Sequence, residues 1–178
     1  MEGNAVDKRS LKRLFNYHYY ANRQLWSSVM ALSEQQFTQA QSDGSPSIRT
    51  QIVHMVANEN LWVNFLWHGE VEFLQEFHLP TRASIQEEWE ALEEEIHDFI
   101  DELSPAELNR QVGLTFLDMG GSPRVWEILL QIVSHAAESR TRICLYLRRL
   151  GSPPRAQNFT DFLDEQEHST PTRHWMNL

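Results

Sequence analysis

Glycine and proline are scarce in this chain, seven of each in 178 residues, so little interrupts long helices. Cysteine is nearly absent. Cys144 stands alone, which excludes an intrachain disulfide and fits a reducing compartment better than secretion. The opening stretch MEGNAVDKRSLKRLFNYHYY has no apolar core of signal-peptide length. No window approaches the roughly eighteen uncharged apolar residues of a membrane span. A cytoplasmic protein without a membrane partner is therefore expected. Positive charge is also in deficit: the formal net charge is −10, which repels phosphate backbones and argues against a nucleic-acid partner. The sequence carries no glycine-rich phosphate loop, no CxxC pair and no GxSxG nucleophile turn.

What is present is a globular composition. Hydrophobic residues make up 41% and charged residues 22%, and six tryptophans with nine phenylalanines argue against disorder. Leu11, Leu14, Phe15, Ala21, Leu25 and Val29 recur at helical spacing with His18 on the same stripe, predicting a first helix over about 7–32. Ser33 and Gln36 form a capping box for a short following turn, and Gly44 and Pro46 mark a loop. A second helix is predicted from Ser47 to His68, stopped by Gly69; it is apolar on more than one side, as suits a central helix or a dimer interface. Ser84 and Glu87 read as the capping box of a third helix running to Leu103. The segment 111–124 alternates as VGLTFLDMGGSP and predicts a short hairpin or an extended excursion turning at Gly120 and Gly121. A fourth helix should run from Val125 to Leu150 and end at Gly151 before Pro153 and Pro154. A short amphipathic piece, FTDFLDEQ, follows. The expected organisation is one domain over 1–166 and a tail over 167–178.

Four segments resemble the DinB family, the DinB/YfiT-like metalloenzymes. FNYHYYANRQLW is similar to that family's opening Tyr-x-x-x-Ala-Asn-Arg pattern. HMVANENLW resembles its histidine-bearing helix, and LLQIVSHAAESRTRICLYLRRLG its His-rich segment. PPRAQNFTDFLDEQ resembles the closing Pro-x-x-Asp-aliphatic stretch. Their order and spacing carry the match over about 8–166. The resemblance implies an all-α fold, an up-down-down-up four-helix bundle, usually a homodimer, with a divalent metal such as zinc or nickel between helices. It implies one histidine ligand from helix two and two from helix four, one turn apart. His54 and His135 match the first two. The third position falls on Ser139, a poor ligand beside imidazole or carboxylate. Arg140 matches the arginine that commonly follows it.

Two function classes follow. In one, the metal site is vestigial or modified and the protein is a non-catalytic, stress- or damage-associated homodimer. In the other, His54 and His135 with Glu138 or water hold a metal that activates a low-molecular-weight thiol, giving a thiol transferase or isomerase. Glu138, three residues after His135, is the nearest candidate carboxylate, and Glu59 is a second on a different side of helix two. His18 and the tyrosines at 17, 19 and 20 read as an aromatic packing band. Asn22 and Arg23 are expected to bond helix ends or loops. The run 87–102 has nine carboxylates in sixteen residues; Glu94, His97, Asp98 and Asp101 could collect a cation, but a solvated helix face explains them. Cys144 should be a buried, inert thiol. Arg140, Arg142, Arg148 and Arg149 favour the helix dipole and could pair with the acidic helix or attract an anionic cosubstrate.

Overall fold

A computed structural model describes residues 6–117 and 121–168. Four long helices form the bundle: α1 (Lys8–Met30), α3 (Ile48–His68), α4 (Arg82–Glu102) and α6 (Val125–Arg149). Short helices α2 (Glu34–Thr38), α5 (Pro105–Leu108) and α7 (Phe159–His168) decorate it. Most ends obey local chemistry. Asp7, Ser47 and Thr81 cap α1, α3 and α4 by accepting from the backbone N–H three residues on. Ser33 and Gln36 form the expected capping box of α2. Gly69 and Gly151 terminate α3 and α6 with φ of 74° and 77°, a left-handed conformation that glycine adopts without steric cost.

One boundary differs from expectation. The box that opens α4 is Thr81–Ser84, one turn before Ser84–Glu87. Starting earlier adds Arg82, Ala83 and Ser84 to the helix ahead of Ile85, which is fully buried. Between Gln111 and Arg124 a single antiparallel bridge closes the base of an excursion. Val112 donates to the Pro123 carbonyl, and Pro123 has no N–H with which to extend a ladder. Gly120, one of the two expected turn glycines, lies outside the described residues, as do residues 169–178 of the expected tail. Among the described residues there is no strand.

Side-chain contacts fix the helix directions. Lys12 meets Asp101, Arg23 meets Glu93 and Trp26 meets Trp89, so α1 and α4 are antiparallel. Asn60 reaches Glu88 and Trp67 packs near Phe99, so α3 and α4 are parallel. His18 meets Arg140, and Ser28 donates to the Pro153 carbonyl beyond the end of α6, so α1 and α6 are parallel. The order is up-down-down-up. Both α1 and α3 pack on α4 and on α6, which leaves α1 and α3 diagonal across the bundle. The core contains Phe15, Leu25, Phe37, Ile52, Leu92, Ile96 and Ile143, all essentially inaccessible. Each such side chain contributes about 1.5–3 kcal/mol by leaving water. No described helix is long and apolar enough to cross a membrane.

Candidate functional site

The groove between α3 and α6 brings the two predicted histidines together. Their ring centroids lie 5.2 Å apart with an interplanar angle of 68°. On α6 the positions 135, 139, 142 and 146 follow one another at helical spacing on one stripe. Of that stripe, Ser139, Arg142 and Tyr146 face Thr50, Gln51 and His54 of α3 across a cavity of about 460 Å³. Ser45 and Pro46 close one end, and the adjoining loop is pinned where Tyr146 and Arg149 both reach Asp43. His54 is exposed to this groove and His135 half-buried. Neither imidazole makes a hydrogen bond among the described residues, and His135 Nδ1 is buried without a partner. Burial holds His135 below the usual histidine range, and the neighbouring His54 pushes it the same way.

Ser139 borders the groove as expected and is 4% exposed. Glu138 does not join the histidines. Its side chain is 72% exposed and leans 3.5 Å from Arg142, because the residue before Ser139 points about 100° away around the helix. Glu59 does not join them either; it points into the core. Among the described residues no cluster of three or more His, Cys, Asp or Glu side chains is arranged to hold a metal. The acidic face of α4 is largely solvated: Glu94 and Asp98 are exposed, and Asp101 pairs with Lys12. Cys144 is buried, and burial pushes its thiol up.

A second constellation lies in the core, and sequence reasoning did not bring its members together: His18 and Tyr19 read as packing, Asn22 as a bond to helix ends or loops, Glu59 as a candidate carboxylate and Arg140 as a dipole or ion-pair group. His18, Asn22, Glu59 and Arg140 are each 3% exposed or less. The Arg140 guanidinium donates from Nη1 to Asn22 Oδ1 at 2.7 Å and lies 3.2 Å from His18 Nδ1. Arginine only donates, so Nδ1 accepts, and the Nε2 side of the ring faces Glu59 Oε2 and Asn22 Nδ2, each at 3.2 Å. The Tyr19 hydroxyl donates to Glu59, with the Leu92 carbonyl 3.2 Å from the same hydroxyl. Burial and the Glu59 charge hold the Tyr19 phenol well above its usual range. An imidazole thus bridges a buried cation on α6 and a buried anion on α3. Asn22 serves this network rather than a helix end, and Arg23 pairs with Glu93 on α4. A signal was available: Glu59 interrupts the apolar stripe of Ile52, Val56, Val63 and Leu66.

The profile of the DinB family matches residues 6–173. Among solved structures, the chain is similar to a DinB-like protein from Bacillus subtilis, with a TM-score of 0.59 at 13% identity. The match covers 78% of this chain and 91% of that one. That likeness extends to the fold. No curated protein matches the chain.

Proposed function

The chain belongs to the DinB family, and from that premise we propose that its α3–α6 groove is a modified divalent-metal site reduced to two imidazole ligands. The single supporting observation is the pair of rings at 5.2 Å, neither committed to another hydrogen bond. Two nitrogen donors suit zinc or nickel. The third donor of a catalytic-type set is not supplied: Ser139 offers a hydroxyl and Glu138 turns away. The groove therefore binds metal weakly, with solvent completing the shell, and the protein acts as a binding member of its family rather than as an enzyme. A homodimer belongs to the same proposal, and a sedimentation mass of one chain would remove it.

Titration of tag-free protein with zinc or nickel tests the reading. Weak uptake that disappears in His54→Ala and His135→Ala is expected. Ser139→His should tighten it by at least about tenfold, or about 1.4 kcal/mol. A wild type that refuses metal even at high concentration overturns the metal reading, and an unchanged affinity in Ser139→His overturns the role given to position 139. One feature favours the alternative reading of a metal-dependent thiol transferase or isomerase: the cavity of about 460 Å³ beside His54 leaves room for a cosubstrate. Thiol-dependent turnover by the metal-loaded wild type would support that alternative.

A further inference from the structure

Ser139 and Arg140 are consecutive on α6 yet face different clefts, as two positions about 100° apart must. The guanidinium of Arg140 uses Nη1 for both of its core contacts. Its Nε and Nη2 have no hydrogen-bond partner among the described residues, and neither is sealed from solvent as an orphan. Arg140 is only 3% exposed, and it borders a cavity of about 240 Å³ between α1, α6 and the segment 151–158. Tyr17, Thr141, Cys144, Arg148 and Gln157 complete most of the wall.

The chain carries a net charge of −10, yet no carboxylate lines this cavity and two arginines do. Arg148 is exposed at the side and makes no ion pair among the described residues. Tyr17 is already committed, its hydroxyl donating to the Gln157 carbonyl at 2.9 Å. What remains is the Nε–Nη2 edge of a buried guanidinium, two parallel N–H groups in the geometry that recognises a planar or tetrahedral oxyanion bidentately. Low dielectric around that edge strengthens the attraction.

We propose that this cavity is a binding site for a small oxyanion, a carboxylate or a phosphate, held by the Nε–Nη2 edge of Arg140 with Arg148 flanking it. The volume suits an ion of a few heavy atoms rather than a drug-sized ligand. The site is separate from the His54–His135 groove and stands whether or not that groove binds metal.

Arginine side-chain NMR of the full chain at fixed ionic strength tests the proposal, with inorganic phosphate and acetate titrated separately. A saturable shift of the Arg140 Nε–H resonance is expected, with a Kd on the order of 1 mM. The tighter ion names the class, and equal affinities support a general oxyanion site. Thr141→Glu places a carboxylate on the exposed rim without touching the core, and should weaken binding by about tenfold or more at an unchanged melting temperature. No saturable shift from either ion, or a Thr141→Glu protein that titrates like the wild type, overturns the proposal.

Discussion

Glu59→Leu is the sharpest test of the buried network. In the native fold the carboxylate accepts from the Tyr19 hydroxyl and faces His18 Nε2, and its side chain is 2% exposed. Leucine removes both acceptors and leaves the Arg140 charge in the core without its anion. Removing one partner of a buried ion pair costs about 3–5 kcal/mol, because the remaining charge stays desolvated. Total stability for a domain of this kind is about 5–15 kcal/mol, so the loss is a large share of it. Glu59→Gln is milder. The Tyr19 hydroxyl can donate to the Leu92 carbonyl and accept from the new amide, so about 1–3 kcal/mol is expected. Urea unfolding followed by helical circular dichroism reads both. With a slope near 2 kcal/mol per M, Glu59→Leu lowers the midpoint by about 1.5–2.5 M and Glu59→Gln by about 0.5–1.5 M. Adding Arg140→Met to Glu59→Leu replaces both buried ions by apolar groups, so the double variant should lose less than the sum of the single losses. A Glu59→Leu midpoint within about 0.5 M of the wild type, or strict additivity in the double variant, would refute the charge bridge.

Two further predictions concern groups that burial holds out of their ordinary range. Tyr20 donates to Glu165 and is pushed up to about 12, while Tyr19 lies well above its usual value; absorbance titration should therefore show these two of the four tyrosines ionising only in strong alkali. Because the folded value of Tyr20 is raised, its contribution to stability is intact below pH 10 and is lost as pH climbs from 10 towards 12; Tyr20→Phe should flatten that loss, and four tyrosines titrating together near pH 10 would contradict the hydrogen bond. Cys144 is 8% exposed and its thiol is pushed up by burial. It should react with a thiol reagent at neutral pH at least about tenfold more slowly than in urea, whereas equal rates would mean an accessible thiolate.

The parts of this fold that could be read from sequence are those whose cause is local. A cap needs only its own first turn, so Ser33, Ser47, Gly69 and Gly151 marked their boundaries correctly. The misplaced start of α4 has the same origin. A search for Ser-x-x-Glu finds Ser84–Glu87, whereas the chain uses Thr81 with a serine at the third position, a weaker pattern that adds one turn to the helix. The missed helix α5 carried every signal in SPAEL: Ser104 as cap, Pro105 at the first position and Glu107 closing the box. The His54–His135 pair was legible only through family resemblance, since nothing within either helix reports which neighbour its histidine will meet.

The core network shows what periodicity could have supplied. Each of three helices places on its apolar stripe one titratable group able to pair: His18 on α1, Glu59 on α3, Arg140 on α6. A lone charge on such a stripe costs several kcal/mol when unpaired, so three interruptions in one bundle are tolerable only if they meet in one layer. They do meet, and across the diagonal that joins α1 to α3. The cross-link ties three helices together, and an aromatic and aliphatic core surrounds it. Ser139 makes none of these contacts. The neighbouring arginine at 140, by contrast, holds α6 to α1 through the core, and its loss would be felt by the whole bundle.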